Sequence, residues 1–222
     1  MPDPLPPNAT DPSEPRIPAA LRVEPDDGLD PQFPDLDGLD LDHRDLSYPD
    51  ARTVTVLRSR MRAGSLDVGD ATIDAQDAQF VDIDLRGRRF EGLTRVSFVR
   101  CRLTGADFGD ARLRDVRFSD CALDVASMRS ATLERVAFVG GRIDELDLSA
   151  ARVTDTTITQ VGLANVTLAG ARLERVDVTG ADLAAVADLR ELRGTIISPT
   201  QAVALSARLA QVAGMHVAAD DD

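Results

Sequence analysis

The side chains best suited to metal or nucleophilic chemistry are few: Cys101, Cys121, His43 and His216. A zinc site needs close pairs of ligands, such as C-x2-4-C followed by H-x3-5-H. Here the cysteines stand 20 residues apart, and the histidines are remote from them and from each other. There is no G-x-S-x-G elbow, phosphate-binding loop, dinucleotide fingerprint or His-rich motif. No catalytic residue, cofactor or metal ligand is therefore assigned, and the chain reads as a non-enzyme. What remains is ionic chemistry. All 25 basic residues are Arg, and one series runs Arg95, Asp115, Arg135, Asp155, Arg175, each member 20 residues after the last.

A spacing of 20 demands an element that returns to the same face at that interval. Written in fives from Cys101, the chain reads CRLTG ADFGD ARLRD VRFSD CALDV ASMRS ATLER VAFVG. In this phase 19 consecutive pentads run from Glu91 to Ala185, and the third residue of each is large and apolar. The first residue is Ala, Val, Cys or Leu in 16 of the 19, and the other three are mostly polar or small. A period of five fits neither a helix nor a flat strand. It fits a backbone that turns a corner every five residues, with one large and one small side chain inward per side. Four sides close a coil of 20 residues, and stacked coils pair as parallel strands ~4.8 Å apart.

This pattern resembles the pentapeptide-repeat family, whose signature is A-(D/N)-L-x-x. Gly105 to Gly109 (GADFG) and Gly180 to Ala184 (GADLA) carry it most closely. The resemblance implies an all-β solenoid, a right-handed quadrilateral β-helix. Upstream the phase slips. Ala51, Val56, Met61, Leu66 and Ala71 form one series and Phe80, Leu85 and Phe90 another, so bulges or short loops are expected there. The coil is expected to reach back to residue 51, or to 36, and to span residues 36–197 at its fullest, with clean repeats over 91–185.

Residues 20 apart should stack. Phe98, Phe118 and Phe138 form an internal aromatic column continued by Ile158 and Val178. Cys101 and Cys121 fall in the small inward column, where free thiols acting as small hydrophobes are favoured over a disulfide. Outside, Arg95, Asp115, Arg135, Asp155 and Arg175 make a surface ion-pair ladder, each pair worth well under ~1 kcal/mol, so that its main role is to set coil register. Arg112, Arg114, Arg152 and Arg172 share that side with Glu134 and Glu174. No aromatic residues interleave to stack bases, so direct nucleic-acid binding is not expected. Asp124, Asp144, Glu145 and Asp147 crowd on the next sides as a solvated acidic patch or a loose cation site.

The termini differ from this body. Eleven of the 12 Pro lie in residues 1–49, and residues 1–50 hold 13 acidic against 3 basic residues. Residues 1–35 are expected to be a disordered acidic tail, because they cannot bury enough apolar surface to offset chain entropy. At the other end, Ser198-Pro199-Thr200-Gln201 is a helix start with a capping box. Ala202, Leu205, Leu209 and Val212 follow at helical spacing, and Gly214 closes the helix. One amphipathic helix is expected over 199–213, within a cap of residues 198–217, ahead of a disordered acidic end at 218–222. The cap covers the open edge of the solenoid. Val203, Leu205, Leu209, Val212, Met215 and Val217 are its candidate cap and dimer surface.

No apolar run approaches ~18 residues, so no membrane span is expected. The start MPDPLPPNAT lacks a basic region and an apolar core, so no secretory signal is expected either, and a cytoplasmic location follows as the default. Two functions are carried forward. The first is a non-enzymatic interaction scaffold for an unidentified protein partner. The second is implied by the resemblance. Fluoroquinolone-resistance members of the family, of the Qnr and mycobacterial types, act on DNA gyrase, and they dimerise through a similar terminal helix. Modulation of gyrase by DNA mimicry and homodimerisation are thus implied. The residues themselves also allow a monomer whose helix only caps the core. A DNA mimic needs a strongly negative rod, yet residues 51–219 hold 22 acidic and 22 basic residues, and most of the net charge of −13 sits on the termini.

Overall fold

The computed structural model describes residues 11–23 and 34–216, apart from 164, 185 and 187. The chain winds as a parallel β-solenoid of about eight turns, closed at its C-terminal end by short helices. The register is that of stacked 20-residue coils. Leu93 pairs with Leu113, Leu113 with Leu133, Leu133 with Val153, and Val153 with Leu173. Third-position residues of the clean pentads are buried wherever their side chains are described, except half-buried Leu173.

Each corner has the same backbone device. From Arg95 to Arg175 the fifth residue of every pentad except Glu145 has φ between +51° and +71°. Only three of these are Gly; the rest are Asp, Arg, Ser, Gln, Asn, Ala and Val. Left-handed backbone costs a non-Gly residue, so the strand ladders above and below each corner must hold it in place.

The upstream phase slips are shortened coils. Val56 pairs with Ala75 and Met61 with Phe80, a coil of 19. Ala75 then pairs with Leu93 and Phe80 with Phe98, a coil of 18, while Ile73 opposite Phe90 marks a bulge. Removing one residue and then two from successive coils shifts the pentad phase without breaking the internal columns. The first coil begins with the strand Asp35–Asp37.

Phenylalanine fills the middle of the solenoid. Phe80, Phe98, Phe118 and Phe138 stack at centroid distances of 5.1, 5.0 and 5.0 Å. A second column, Phe90 on Phe108 at 4.7 Å, meets the first edge to face. Beyond Phe138 the first column continues as Ile158 and Val178, and an apolar cavity of about 50 Å³ opens there. Cys101 and Cys121 are buried free thiols whose Sγ atoms lie 3.4 and 3.5 Å from the carbonyls of Phe80 and Phe98. The hydrogen bond with the Cys121 thiol, and then burial, push the Cys101 thiol up, so it stays protonated.

Extra segments pair with the first and the last coil. At the start, Arg22 bridges Leu39, donating to the Gly38 carbonyl at 2.8 Å and accepting from the Asp40 amide at 2.9 Å. At the end, Thr195–Ile196 adds a last strand opposite Val176 and Asp177. The expected single helix over 199–213 is instead two, α1 (Pro199–Ala204) and α2 (Ser206–Val212). Each half is fastened to the last coil separately. Gln201 reaches the carbonyls of Val178 and Ala181, and Arg208 those of Ala184 and Val186. Leu205, buried between the two fastenings, takes φ −92° and ψ 0° and breaks the helix. The capping box at Ser198 and Gln201 is formed. Gly214 ends α2 at φ +79°, with its N–H on Gln211 and that of Met215 on Ala210.

Candidate functional site

The ion-pair ladder lies at one corner of the rod. Its members sit mid-way along the long strands Arg89–Val99, Arg112–Ser119, Thr132–Val139, Arg152–Thr159 and Arg172–Gly180, which bend around two faces. Left-handed φ at Arg95, Asp115, Arg135, Asp155 and Arg175 turns each side chain to the outside of that bend. Each arginine grips the carboxylate of the preceding coil with both arms of its guanidinium. Arg135 donates to Asp115 at 2.8 and 3.0 Å, and Arg175 to Asp155 at 2.6 and 2.9 Å. Arg95 grips Asp77 at 2.6 and 2.7 Å. Asp77 escaped the sequence reading because the coil of 18 residues moves it out of the 20-residue column.

These rungs are not ordinary surface pairs. The side chains of Asp77 and Asp115 are only 6% and 7% exposed. Their carboxyls are held below the usual carboxylate range, first by the bonded guanidinium and further by backbone N–H donors. The worth expected for a surface rung therefore does not apply to them, since breaking a pair would leave a buried charge. Asp155, 21% exposed, is likewise lowered by Arg175.

The extra donors come from an unexpected place. Residues 11–16, inside the stretch expected to be disordered, lie against this corner. The Ser13 N–H donates to Asp115 Oδ1 at 3.1 Å, and the Arg16 N–H to Asp77 Oδ1 at 2.9 Å. Arg117 pairs with Asp11 and lies 3.9 Å from Glu14. Pro12 is buried, while Pro15 and Ile17 are half-buried. The composition argument holds for a chain folding alone. It does not exclude docking on a surface that is already built.

The other sequence candidates fall elsewhere. Arg114 lies 3.7 Å from Glu134, so part of the Arg-rich side is offset across coils. Asp124 and Asp144 both face Arg142, and Asp147 pairs with Arg129 at 3.2 Å, so three of the four acids of that patch are answered by arginine. Among the described residues no cluster of three metal-ligating side chains occurs. At the C-terminal end Val203, Leu209, Val212 and Met215 are exposed, whereas Leu205 is buried and belongs to the cap alone. Val217 lies outside the described residues. No helix among the described residues is long and apolar enough to cross a membrane.

Residues 92–173 match the family described as "Pentapeptide repeat region". No curated protein sequence matches the chain. Among solved structures, a trypsin-treated variant of QnrB1, a plasmid-mediated fluoroquinolone resistance protein, is similar at 20% identity and a TM-score of 0.47, over 82% of this chain and 86% of that one. Full-length QnrB1 is similar at 16% identity and a TM-score of 0.42, over 77% and 96%. HetL, a pentapeptide repeat protein involved in heterocyst differentiation regulation from the cyanobacterium Nostoc sp. strain PCC 7120, is similar at 20% identity and a TM-score of 0.34, over 68% and 77%.

Proposed function

Residues 92–173 are a pentapeptide-repeat region, and from that premise we propose that the protein is a non-enzymatic interaction scaffold, a cytoplasmic rod that binds another protein. The observation that carries this reading is the outer wall. Ion pairs such as Arg60–Asp40, Arg62–Asp42, Arg100–Asp82 and Arg135–Asp115 tie coil to coil. They hold broad, regular faces in register. The interior is packed with Leu, Phe and Val, and its cavity is lined almost wholly by apolar groups, which offers no converging polar groups for a reaction.

The exposed Val203, Leu209, Val212 and Met215 support a homodimer joined at the C-terminal end. Replacing Val203 and Met215 together by Asp should turn a dimer into a monomer in sedimentation analysis while leaving the far-UV circular dichroism of the solenoid unchanged. A wild-type chain that sediments as a monomer would refute the dimer.

Modulation of DNA gyrase by DNA mimicry is the second reading implied by the resemblance. The balanced, ion-paired body favours the first reading over it. Capture of partners from host lysate across a salt series, with duplex DNA as competitor, separates the two. A scaffold retains its partner in the presence of DNA and loses little with salt. Gyrase subunits displaced by DNA and by moderate salt would establish mimicry instead.

A further inference from the structure

The corner that carries Asp77 and Asp115 makes one contact twice. In each case Oδ1 accepts both the Nε of the arginine one coil on and a backbone N–H from residues 11–23, while Oδ2 accepts a terminal arginine nitrogen. The two N–H donors, Ser13 and Arg16, are three residues apart, and each directly follows a proline, Pro12 and Pro15. Pro18 continues the spacing. Proline at every third position favours the polyproline II conformation, which rises ~3.1 Å per residue, or ~9.3 Å over three. The two carboxylates lie two coils apart along the rod, ~9.6 Å at the usual strand spacing. The pitch of a Pro-x-x-Pro segment thus matches every second coil. Acidic residues in the segment, Asp11 and Glu14, face Arg117. Asp155, two coils beyond Asp115, makes the same two-armed contact with Arg175, and among the described residues no N–H from the segment reaches it.

We infer that this corner is a receptor for an extended, acidic Pro-x-x-Pro segment, and that residues 11–18 of the chain occupy it as a removable cover. The partner it fits is a protein displaying such a segment in extended form. The cover must leave before that partner binds. This deepens the scaffold reading and rests on it for the partner only, because docking of the cover is measurable without one.

The experiment uses the full-length chain. Trypsin cleavage after Arg16 is timed in the wild type, in Ser13→Pro, which removes one N–H, and in Ser13→Ala, which keeps it. Loss of one hydrogen bond to a charged acceptor should speed cleavage of the proline variant roughly tenfold or more. The alanine variant should match the wild type, and the melting temperature should be the same in all three. Equal cleavage rates in all three would overturn docking. A fluorescent peptide of residues 11–20 is then added to the Ser13→Pro chain and to the wild type. Tighter binding to the variant, lost when the peptide itself carries Pro in place of Ser13, supports the receptor. No binding, or equal binding of both peptides, overturns it. Peptide binding in the absence of any captured partner would leave the receptor standing and remove the scaffold reading alone.

Discussion

Arg135 and Arg100 look equivalent in the sequence, each an Arg at a fifth pentad position with left-handed φ. Their surroundings differ. Arg135 bonds a carboxylate that is 7% exposed, whereas Arg100 bonds Asp82, which is 46% exposed. Arg135→Ala should cost about 2–4 kcal/mol, because it strands the buried charge of Asp115. Arg100→Ala should leave the urea midpoint unchanged within error. The pH dependence follows from the direction of the shift. The carboxyl of Asp115 is lowered on folding, so its contribution is complete above the unfolded value of about 4 and is lost as pH falls through the still lower folded value. The cost of Arg135→Ala should therefore be full near pH 7 and shrink as acid protonates Asp115, first in the variant, where the carboxylate is desolvated without its partner. Val125 is the odd residue among the corners, β-branched and exposed at φ +57°. Val125→Gly should stabilise the protein by about 1 kcal/mol by relieving that conformation. A loss of stability in thermal melting would show that the valine side chain is needed for packing.

At the scale of elements, the aromatic stack and the closing strand carry separate expectations. The stack ends at Phe138, and the cavity of about 50 Å³ lies beside Ile158 and Val178. Ile158→Phe should extend the stack and gain about 1 kcal/mol, read as a rise of a few degrees in melting temperature. A fall would mean that the void cannot accept a ring. Gly194 holds the last strand against its neighbour at φ +93°, and a Cβ there would collide with the Leu173 carbonyl oxygen. Gly194→Ala should release Thr195–Ile196 and speed amide exchange through α1 and α2, with the coils around Phe98 and Phe118 unaffected. The pentad phase made the coils legible, since Leu113, Leu133 and Val153 stack as their spacing requires. The second aromatic column, Phe90 on Phe108, was hidden because a coil with a bulge separates their phases. The break at Leu205 was hidden because it comes from two side-chain fastenings to the last coil, which helical periodicity does not record.

On the scale of the whole molecule, residues 51–219 carry balanced charge, and most of the net charge of −13 lies in the chain before and after them. The ladder was legible as a column of alternating signs, but not as a docking surface. Ser13 and Arg16 bind it through backbone N–H groups, and a side-chain pattern cannot encode those. The prolines before them, read alone, signal a chain that will not fold by itself. Read against a solenoid pitch of ~4.8 Å, the same prolines set a spacing that the corner matches. This corner is where we infer that the scaffold meets its partner. Amide exchange on the full-length chain, with and without a captured partner, tests it most directly. Exchange should slow in the strands around Arg95, Asp115 and Arg135 and quicken in residues 11–17 as the cover leaves. Protection confined to α1 and α2, or residues 11–17 unchanged while the partner is bound, would contradict it.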